Sequence, residues 1–149
     1  MTASSHFLCR AKTAFGTSAL SHLPFDLSSM NACKPFVITD QAARDAELDR
    51  YLARAFQDSD MTLGIATLTD PRDDIPAIET LHHLFVEKGY DSIMALGTGA
   101  VVQMAKILNL TVCLGPEILR SCEGPQQINR PLLPLVFIPT LPSDGRETT

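Results

Sequence analysis

The chain has 149 residues, of which 45% are apolar and 19% are charged, and its formal net charge at pH 7 is −5. This length suits about one domain, and the composition is that of a globular protein rather than a disordered one. The acidic balance argues against a nucleic-acid partner, because no basic cluster is present to neutralise phosphates. No apolar run approaches the ~20 residues of a membrane span, so we expect no membrane partner either.

The cysteines are widely spaced and form no Cys-x-x-Cys pair: Cys9, Cys33, Cys113 and Cys122. Reduced thiols in a cytoplasmic protein are therefore expected, and a zinc site is not. The first 25 residues contain Arg10 and Lys12 but no acidic residue, a composition shared with transit peptides. A cleaved presequence is the alternative to a plain cytoplasmic location.

Two weakly patterned segments precede the first clear strand. Residues 6–15 predict an edge hairpin or a single extended strand, with a simple tail over residues 1–14 as the alternative. Residues 17–29 are weakly helical, with an interruption at Pro24. An apolar strand over residues 35–39 follows and is closed by Asp40. Residues 41–57 then predict one helix, whose apolar face carries Leu48, Tyr51, Leu52, Ala55 and Phe56.

A second buried strand is predicted over residues 61–68, and it ends at Thr69-Asp70-Pro71. Asp73 or Asp74 can cap the next helix, with Pro76 in its first turn, where a missing N–H costs nothing. The buried side of that helix is marked by Ile78, Leu81 and Phe85, and its end by Lys88-Gly89.

Residues 90–110 predict a strand, a glycine turn and a helix. The strand occupies residues 92–96, and the helix has a buried stripe made of Val101, Met104, Ala105 and Leu108. Between them, Gly97-Thr98-Gly99 leaves free backbone N–H groups at the positive end of the helix, a geometry that suits a phosphate. A tight turn without a ligand is the alternative, since Val102 replaces the third glycine of the dinucleotide fingerprint and no phosphate-loop Gly-Lys-Ser/Thr occurs.

The C-terminal part predicts a loop over residues 111–130 and a final apolar strand over residues 133–138. Strands that alternate with helices indicate right-handed βαβ units, hence a doubly wound α/β domain with a parallel sheet and helices on both faces. Ligands of such sheets bind beyond the carboxyl ends of the strands. The residues predicted there are Asp40, Asp70-Pro71, Gly97-Thr98-Gly99 and Thr140.

Taken in their order along the chain, these motifs resemble those of the iron-containing (group III) alcohol dehydrogenase family. The resemblance is to the N-terminal, Rossmann-like nucleotide-binding domain of that family. The resemblance runs from about Phe15 to the C-terminus. It rests on five segments, each at a predicted strand end or turn: Ile38-Thr39-Asp40, Asp70-Pro71, Gly89-Tyr90-Asp91, Leu96 to Lys106 and Leu133 to Thr140.

The resemblance implies a cofactor site in which the glycine turn holds a diphosphate, Asp40 accepts from the adenosine ribose and Thr140 lies along the adenine. The whole implied set is Asp40, Asp70, Gly97, Thr98, Gly99, Ala100, Thr140 and Leu141. A carboxylate at the ribose favours NAD over NADP. The alternatives are a plain helix cap for Asp40 and a turn residue for Asp70. Lys106 is interpreted as a solvated helix lysine.

This chain departs from the family pattern at several positions. Thr98 and Ala100 stand where the family has glycine and serine, and Gln103 stands where it has aspartate. The glycine-rich segment that the family carries after Pro-Thr is here replaced by residues with Pro142 and Asp144 among them.

The resemblance also implies divalent iron or zinc, held in the family by an aspartate and histidines of a helical C-terminal domain that this sequence is not expected to contain. His82 and His83 are adjacent on a helix and point about 100° apart, so they cannot face one ion. We assign no catalytic residue and no metal ligand within the chain.

The predicted function is therefore the NAD(P)-binding part of an oxidoreductase for small alcohols or aldehydes, contained in a single dinucleotide-binding-type domain over residues 1–149. A non-catalytic relative that serves as a nucleotide-binding or assembly module is the alternative. A homodimer is among the assemblies that the resemblance leaves open.

Overall fold

A parallel four-stranded sheet organises the computed structural model, which describes residues 19–68, 75–115 and 132–140. The strand order is β2-β1-β3-β4, so the sheet grows outward in both directions from its central pair. The strands are β1 (Pro35–Asp40), β2 (Gly64–Leu68), β3 (Ser92–Gly97) and β4 (Leu135–Pro139). The α/β class and the parallel sheet predicted from the sequence are confirmed.

One face of the sheet is covered by α4 (Ile75–Lys88) and α5 (Gly99–Leu114). The apolar residues that the periodicity predicted for these helices are all buried: Ile78, Leu81, Phe85, Val101, Met104, Ala105 and Leu108. They pack on Phe36 and Ile38 of β1 and on Ile93 and Ala95 of β3. These strand residues share one face of the sheet because residues two apart in a strand point to the same side.

The opposite face is covered by α1 (Leu23–Ser29), α2 (Gln41–Asp45) and α3 (Leu48–Ala55). Leu27, Ala43 and Leu52 contribute one fully buried side chain from each helix. They pack against Val37 of β1 and against Met94 and Leu96 of β3, which alternate with the residues of the first face. Both faces are therefore apolar, as a doubly wound sheet requires.

The prediction of a single helix over residues 41–57 is wrong, because the segment forms two helices, α2 and α3, joined by a turn. Glu47 adopts a left-handed conformation (φ 60°) at the break. Tyr51 is 57% exposed although the pattern placed it on the buried face. Leu52 and Phe56 are buried as predicted.

Three other boundaries differ from the predictions. Pro24 lies in the first turn of α1 and so does not interrupt it. The strand predicted over residues 61–68 starts only at Gly64 and lies at the sheet edge, where Ile65 is 41% exposed. Helix α5 continues to Leu114, so the first residues of the predicted loop are helical.

Some predicted features lie outside the described residues. They are the hairpin or tail at the N-terminus, the capping role of Asp73 or Asp74 and the loop from residue 116 to residue 130. Within the described ranges, no helix is both long and apolar enough to cross a membrane.

Candidate functional site

The carboxyl ends of β1, β3 and β4 bring together most of the residues predicted to form a site. Leu96 pairs with Thr39, and Gly97 pairs with Pro139, so the residues that follow these strands share one edge. The Thr140 amide donates to the Gly97 carbonyl at 3.2 Å, which joins the end of β4 to the glycine turn. Asp70 and Leu141, also predicted for this site, lie outside the described residues.

Asp40 is the charged group at this edge, and backbone amides contact both of its carboxylate oxygens. Oδ1 accepts from the Ala43 amide at 2.8 Å and so caps α2. Oδ2 accepts from the Thr98 amide at 3.4 Å, across the gap between β1 and β3. The residue is only 7% exposed. The helix-cap alternative for Asp40 is thus observed, together with a contact to the glycine turn that local patterns did not predict.

Gly97 is required by the close approach of Asp40. A Cβ on Gly97 would lie 2.8 Å from Asp40 Oδ2 and 2.9 Å from Val101 Cγ2. Its φ of 155° is also a conformation that L side chains rarely adopt. A larger residue would push the carboxylate away from the turn, so this glycine fixes the distance between β1 and the start of α5.

The first turn of α5 presents backbone donors. Thr98 is its N-cap in an extended conformation (φ −86°, ψ 177°), but its hydroxyl makes no capping hydrogen bond. The Val101 amide donates to the Thr98 carbonyl at 3.0 Å. The amides of Gly99 and Ala100 lie at the start of the helix, where the helix itself offers them no backbone acceptor. Both residues are half-buried. This end of the helix can bind an anion.

This edge therefore combines first-turn amides that can bind an anion with a fixed negative charge beside them. The described residues do not fit a metal centre, since no cluster of three or more His, Cys, Asp or Glu occurs among them. His83 Nε2 instead lies 3.6 Å from Glu87 of the same helix, with both side chains exposed. We derive no metal-dependent step from these residues.

A second carboxylate accepts from backbone amides at the other end of the strands, where β1 and β3 begin. Asp91 accepts from the amides of Cys33 at 2.8 Å and Lys34 at 2.9 Å, from the Cys33 thiol at 3.3 Å and from the Ser92 hydroxyl at 3.1 Å. Its own amide donates to the Lys34 carbonyl at 3.0 Å. These contacts join the start of β1 to the start of β3.

These contacts also shift two pKa values. Desolvation by burial raises the pKa of Asp91, but the hydrogen bonds from Cys33, Lys34 and Ser92 outweigh it and hold that pKa below the usual range. The pKa of the Cys33 thiol is raised, first by its hydrogen bond to Asp91 and then by the negative charge of that carboxylate. The surroundings of Cys33 therefore disfavour its thiolate, although the residue is exposed.

The chain resembles known proteins in both sequence and fold. A family model described as iron-containing alcohol dehydrogenase matches residues 11–149. Among curated proteins, the chain is 23% identical to the NAD-dependent methanol dehydrogenase of Bacillus methanolicus over 97% of this chain and 38% of the relative. It is 30% identical to the probable alcohol dehydrogenase EutG of Escherichia coli over 76% of this chain and 29% of the relative. The chain thus spans about a third of the length of these relatives.

Two solved structures show the same fold. The NADH-dependent butanol dehydrogenase A of Thermotoga maritima superposes with a TM-score of 0.77 at 14% identity, over 88% of this chain and 33% of that one. The sulfoacetaldehyde reductase of Bifidobacterium kashiwanohense, solved in complex with NAD+, gives a TM-score of 0.75 at 17% identity, over 91% of this chain and 35% of that one. The chain belongs to the iron-containing alcohol dehydrogenase family and has the fold of its N-terminal Rossmann-like domain.

Proposed function

We propose that this chain binds NAD(H) as the cofactor domain of an oxidoreductase that interconverts small alcohols and aldehydes. The observation that carries the proposal is the position of Asp40 beside the glycine turn, at the carboxyl edge of the two central strands. Dinucleotides of doubly wound folds bind at that edge. The family membership supports the same placement.

Each residue of the proposed site has a separate role. The amides of Gly99 and Ala100, at the positive end of α5, would hold the diphosphate. Asp40 would accept from the ribose hydroxyls, and Thr140 would lie along the adenine, since β4 ends beside the turn. Asp70 and Leu141 complete the proposed set. A bound nicotinamide supplies the hydride acceptor or donor; these residues only bind and orient the cofactor.

NAD is the proposed cofactor rather than NADP. A 2′-phosphate on the adenosine ribose would lie close to the Asp40 carboxylate, and two like charges about 4 Å apart repel by about 1 kcal/mol even in water. The carboxylate is buried, so screening by solvent is weaker than at an exposed site.

Titration of the purified chain with NADH and NADPH, followed by cofactor fluorescence, tests both proposals. We expect NADH to bind at least about fivefold more tightly, and the difference to shrink in Asp40→Ser. Asp45→Ser is the control, because it removes the same charge from an exposed position of α2, the helix that Asp40 caps. Equal affinities in the wild type that Asp40→Ser leaves unchanged would contradict the preference. Absence of binding by either nucleotide would contradict the function.

A non-catalytic module is the second candidate, and one observation favours it. The Thr98 amide is already used by Asp40, so the turn offers one donor fewer to a diphosphate. Under this function the chain would bind NADH weakly or not at all. Addition of a simple alcohol with iron or zinc should give no NAD reduction above the control without protein under either function, so the affinity for NADH is what separates the two.

The metal, the substrate, the location and the assembly of this protein are proposed from its family membership. Divalent iron or zinc and a small alcohol or aldehyde would be bound by residues other than those described here. A cytoplasmic location and a homodimer stay predictions, to be checked by localisation of the tagged protein and by analytical ultracentrifugation.

A further inference from the structure

Asp40 lies directly against the glycine turn, in addition to standing at the proposed ribose position. The residue is only 7% exposed, and its Oδ2 accepts from the Thr98 amide of the glycine turn. The ideal Cβ position of Gly97 lies 2.8 Å from the same oxygen, so the carboxylate sits directly against the turn. A buried negative charge therefore occupies part of the space and one of the donors that a bound anion would use.

We infer that Asp40 is an internal anion of the glycine turn and that it selects against compact free anions such as inorganic phosphate and pyrophosphate. The inference rests on the proposed NAD(H) function and adds a specificity role to that site. A compact anion carries more than one negative charge on each phosphorus at neutral pH, and it lacks the ribose hydroxyls that can donate to the carboxylate. Its binding would place like charges together at a buried position.

A dinucleotide meets the same carboxylate differently. Its diphosphate is a diester, with one charge on each phosphate, and the adjoining ribose supplies hydroxyl donors. A hydroxyl that donates to Asp40 offsets part of the repulsion between carboxylate and diphosphate. The glycine turn would then favour diphosphate esters of ribose over free phosphate and pyrophosphate.

Asp40→Asn separates these effects with little change in shape. Asparagine is as good a helix cap as aspartate, so its Oδ1 can still accept from the Ala43 amide. Its Nδ2 is a donor and cannot accept from the Thr98 amide, which becomes free for a ligand. Asp45→Asn is the matched control, because it removes one charge from the exposed side of α2.

The experiment measures binding of pyrophosphate and of ADP-ribose to the wild type and both variants by isothermal titration calorimetry, at constant ionic strength. We expect pyrophosphate to bind about tenfold or more tightly to Asp40→Asn than to the wild type, with less than about a twofold change in Asp45→Asn. The ratio of the affinity for ADP-ribose to the affinity for pyrophosphate should decrease in Asp40→Asn and stay unchanged in Asp45→Asn. Thermal unfolding checks that each variant is folded, and Asp40→Ser replaces the asparagine variant if it is not.

Each other outcome is informative. Equal gains in both variants would overturn the inference, because they would show a general effect of net charge. Unchanged pyrophosphate affinity in Asp40→Asn, with NADH bound by the wild type, would overturn it and leave the proposed function intact. Failure of pyrophosphate, ADP-ribose and NADH to bind any of these proteins would overturn both.

Discussion

The side chain of Asn109, on α5, pairs with the backbone of Leu133 as a neighbouring strand would. Nδ2 donates to the Leu133 carbonyl at 2.9 Å, and Oδ1 accepts from the Leu133 amide at 3.1 Å. Asn109 is only 2% exposed. Both backbone groups of the residue that leads into β4 are therefore bonded to one buried amide, which fixes the entry of β4 into the sheet.

Asn109→Leu should lower the free energy of unfolding by roughly 2 kcal/mol, because it leaves two backbone groups of Leu133 without partners. Urea unfolding followed by circular dichroism measures the change. Gln103→Leu is the control, since it removes a half-buried amide from the same helix. Equal stability of the two variants would contradict the role given to Asn109.

Asp91 should make the stability of the chain depend on acid pH. The pKa of Asp91 is lowered by folding from an ordinary value of 3.8, so its contribution is fully present above that value and is lost as the pH falls through the lower, folded pKa. We expect Asp91→Asn to cost about 1 kcal/mol at pH 7, since its contacts are partly exposed to solvent.

Urea unfolding of the wild type and Asp91→Asn between pH 7 and pH 2.5 measures that dependence. The difference between them should be constant from neutral pH to about pH 5 and shrink below the ordinary pKa of 3.8. A difference that persists unchanged at the lowest pH would show that the carboxylate charge is not what stabilises this edge.

Cys33 should react slowly with alkylating agents although it is exposed. The neighbouring carboxylate of Asp91 raises the pKa of the thiol, and only the thiolate is nucleophilic. Iodoacetamide labelling at pH 8, resolved by peptide mass spectrometry, should show several-fold faster reaction of Cys33 in Asp91→Asn. The rate at Cys113 in the same samples is the internal control, and an equal acceleration there would indicate general unfolding.

The two glycines of the turn should respond differently to substitution. Gly97→Ala should lower stability by about 1–3 kcal/mol, because the new methyl group would meet Asp40 Oδ2 and Val101 Cγ2 at under 3 Å. Gly99→Val should instead abolish NADH binding with a smaller effect on folding, since a side chain there would fill the space proposed for the diphosphate. Retained affinity in a destabilised Gly99→Val would assign that glycine to the turn alone.

A side chain at Gly64 should displace the ring of Tyr90. A Cβ on Gly64 would lie 1.9 Å from the Tyr90 hydroxyl oxygen, and Tyr90 stacks on Phe36 with ring centroids 4.8 Å apart. We expect Gly64→Ala to cost about 1–3 kcal/mol and to change the near-ultraviolet circular dichroism, as Tyr90 leaves that stack. Gly89→Ala is the control: its strain comes from a φ of 72°, and nothing lies within 4 Å of its Cβ.

The sequence predicted the fold well where one physical signal decided the structure. The apolar strands and the stripe of α5 were predicted because burial on a parallel sheet imposes those patterns. The break at Glu47 was missed because the helical pattern continues through it and neither glycine nor proline marks it.

The site was predicted in outline and missed in its contacts. Strand ends located Asp40 and the glycine turn, since parallel strands finish at one edge. The bond from Thr98 to Asp40 joins residues 58 apart in sequence, as does the bond from Cys33 to Asp91. Local patterns contain no information about which strands are neighbours. Only the strand order, with β1 beside β3, makes these pairs meet.

That strand order also sets the sequence of events during synthesis. Strand β1 is central, yet one of its two neighbours is β3, whose first residue follows the end of α4. A nascent chain that has emerged only as far as Lys88 can pair β1 with β2 but leaves its other edge without hydrogen-bond partners. The central pair closes only after Gly97 has left the ribosome, and until then the apolar edge of β1 is open to other chains.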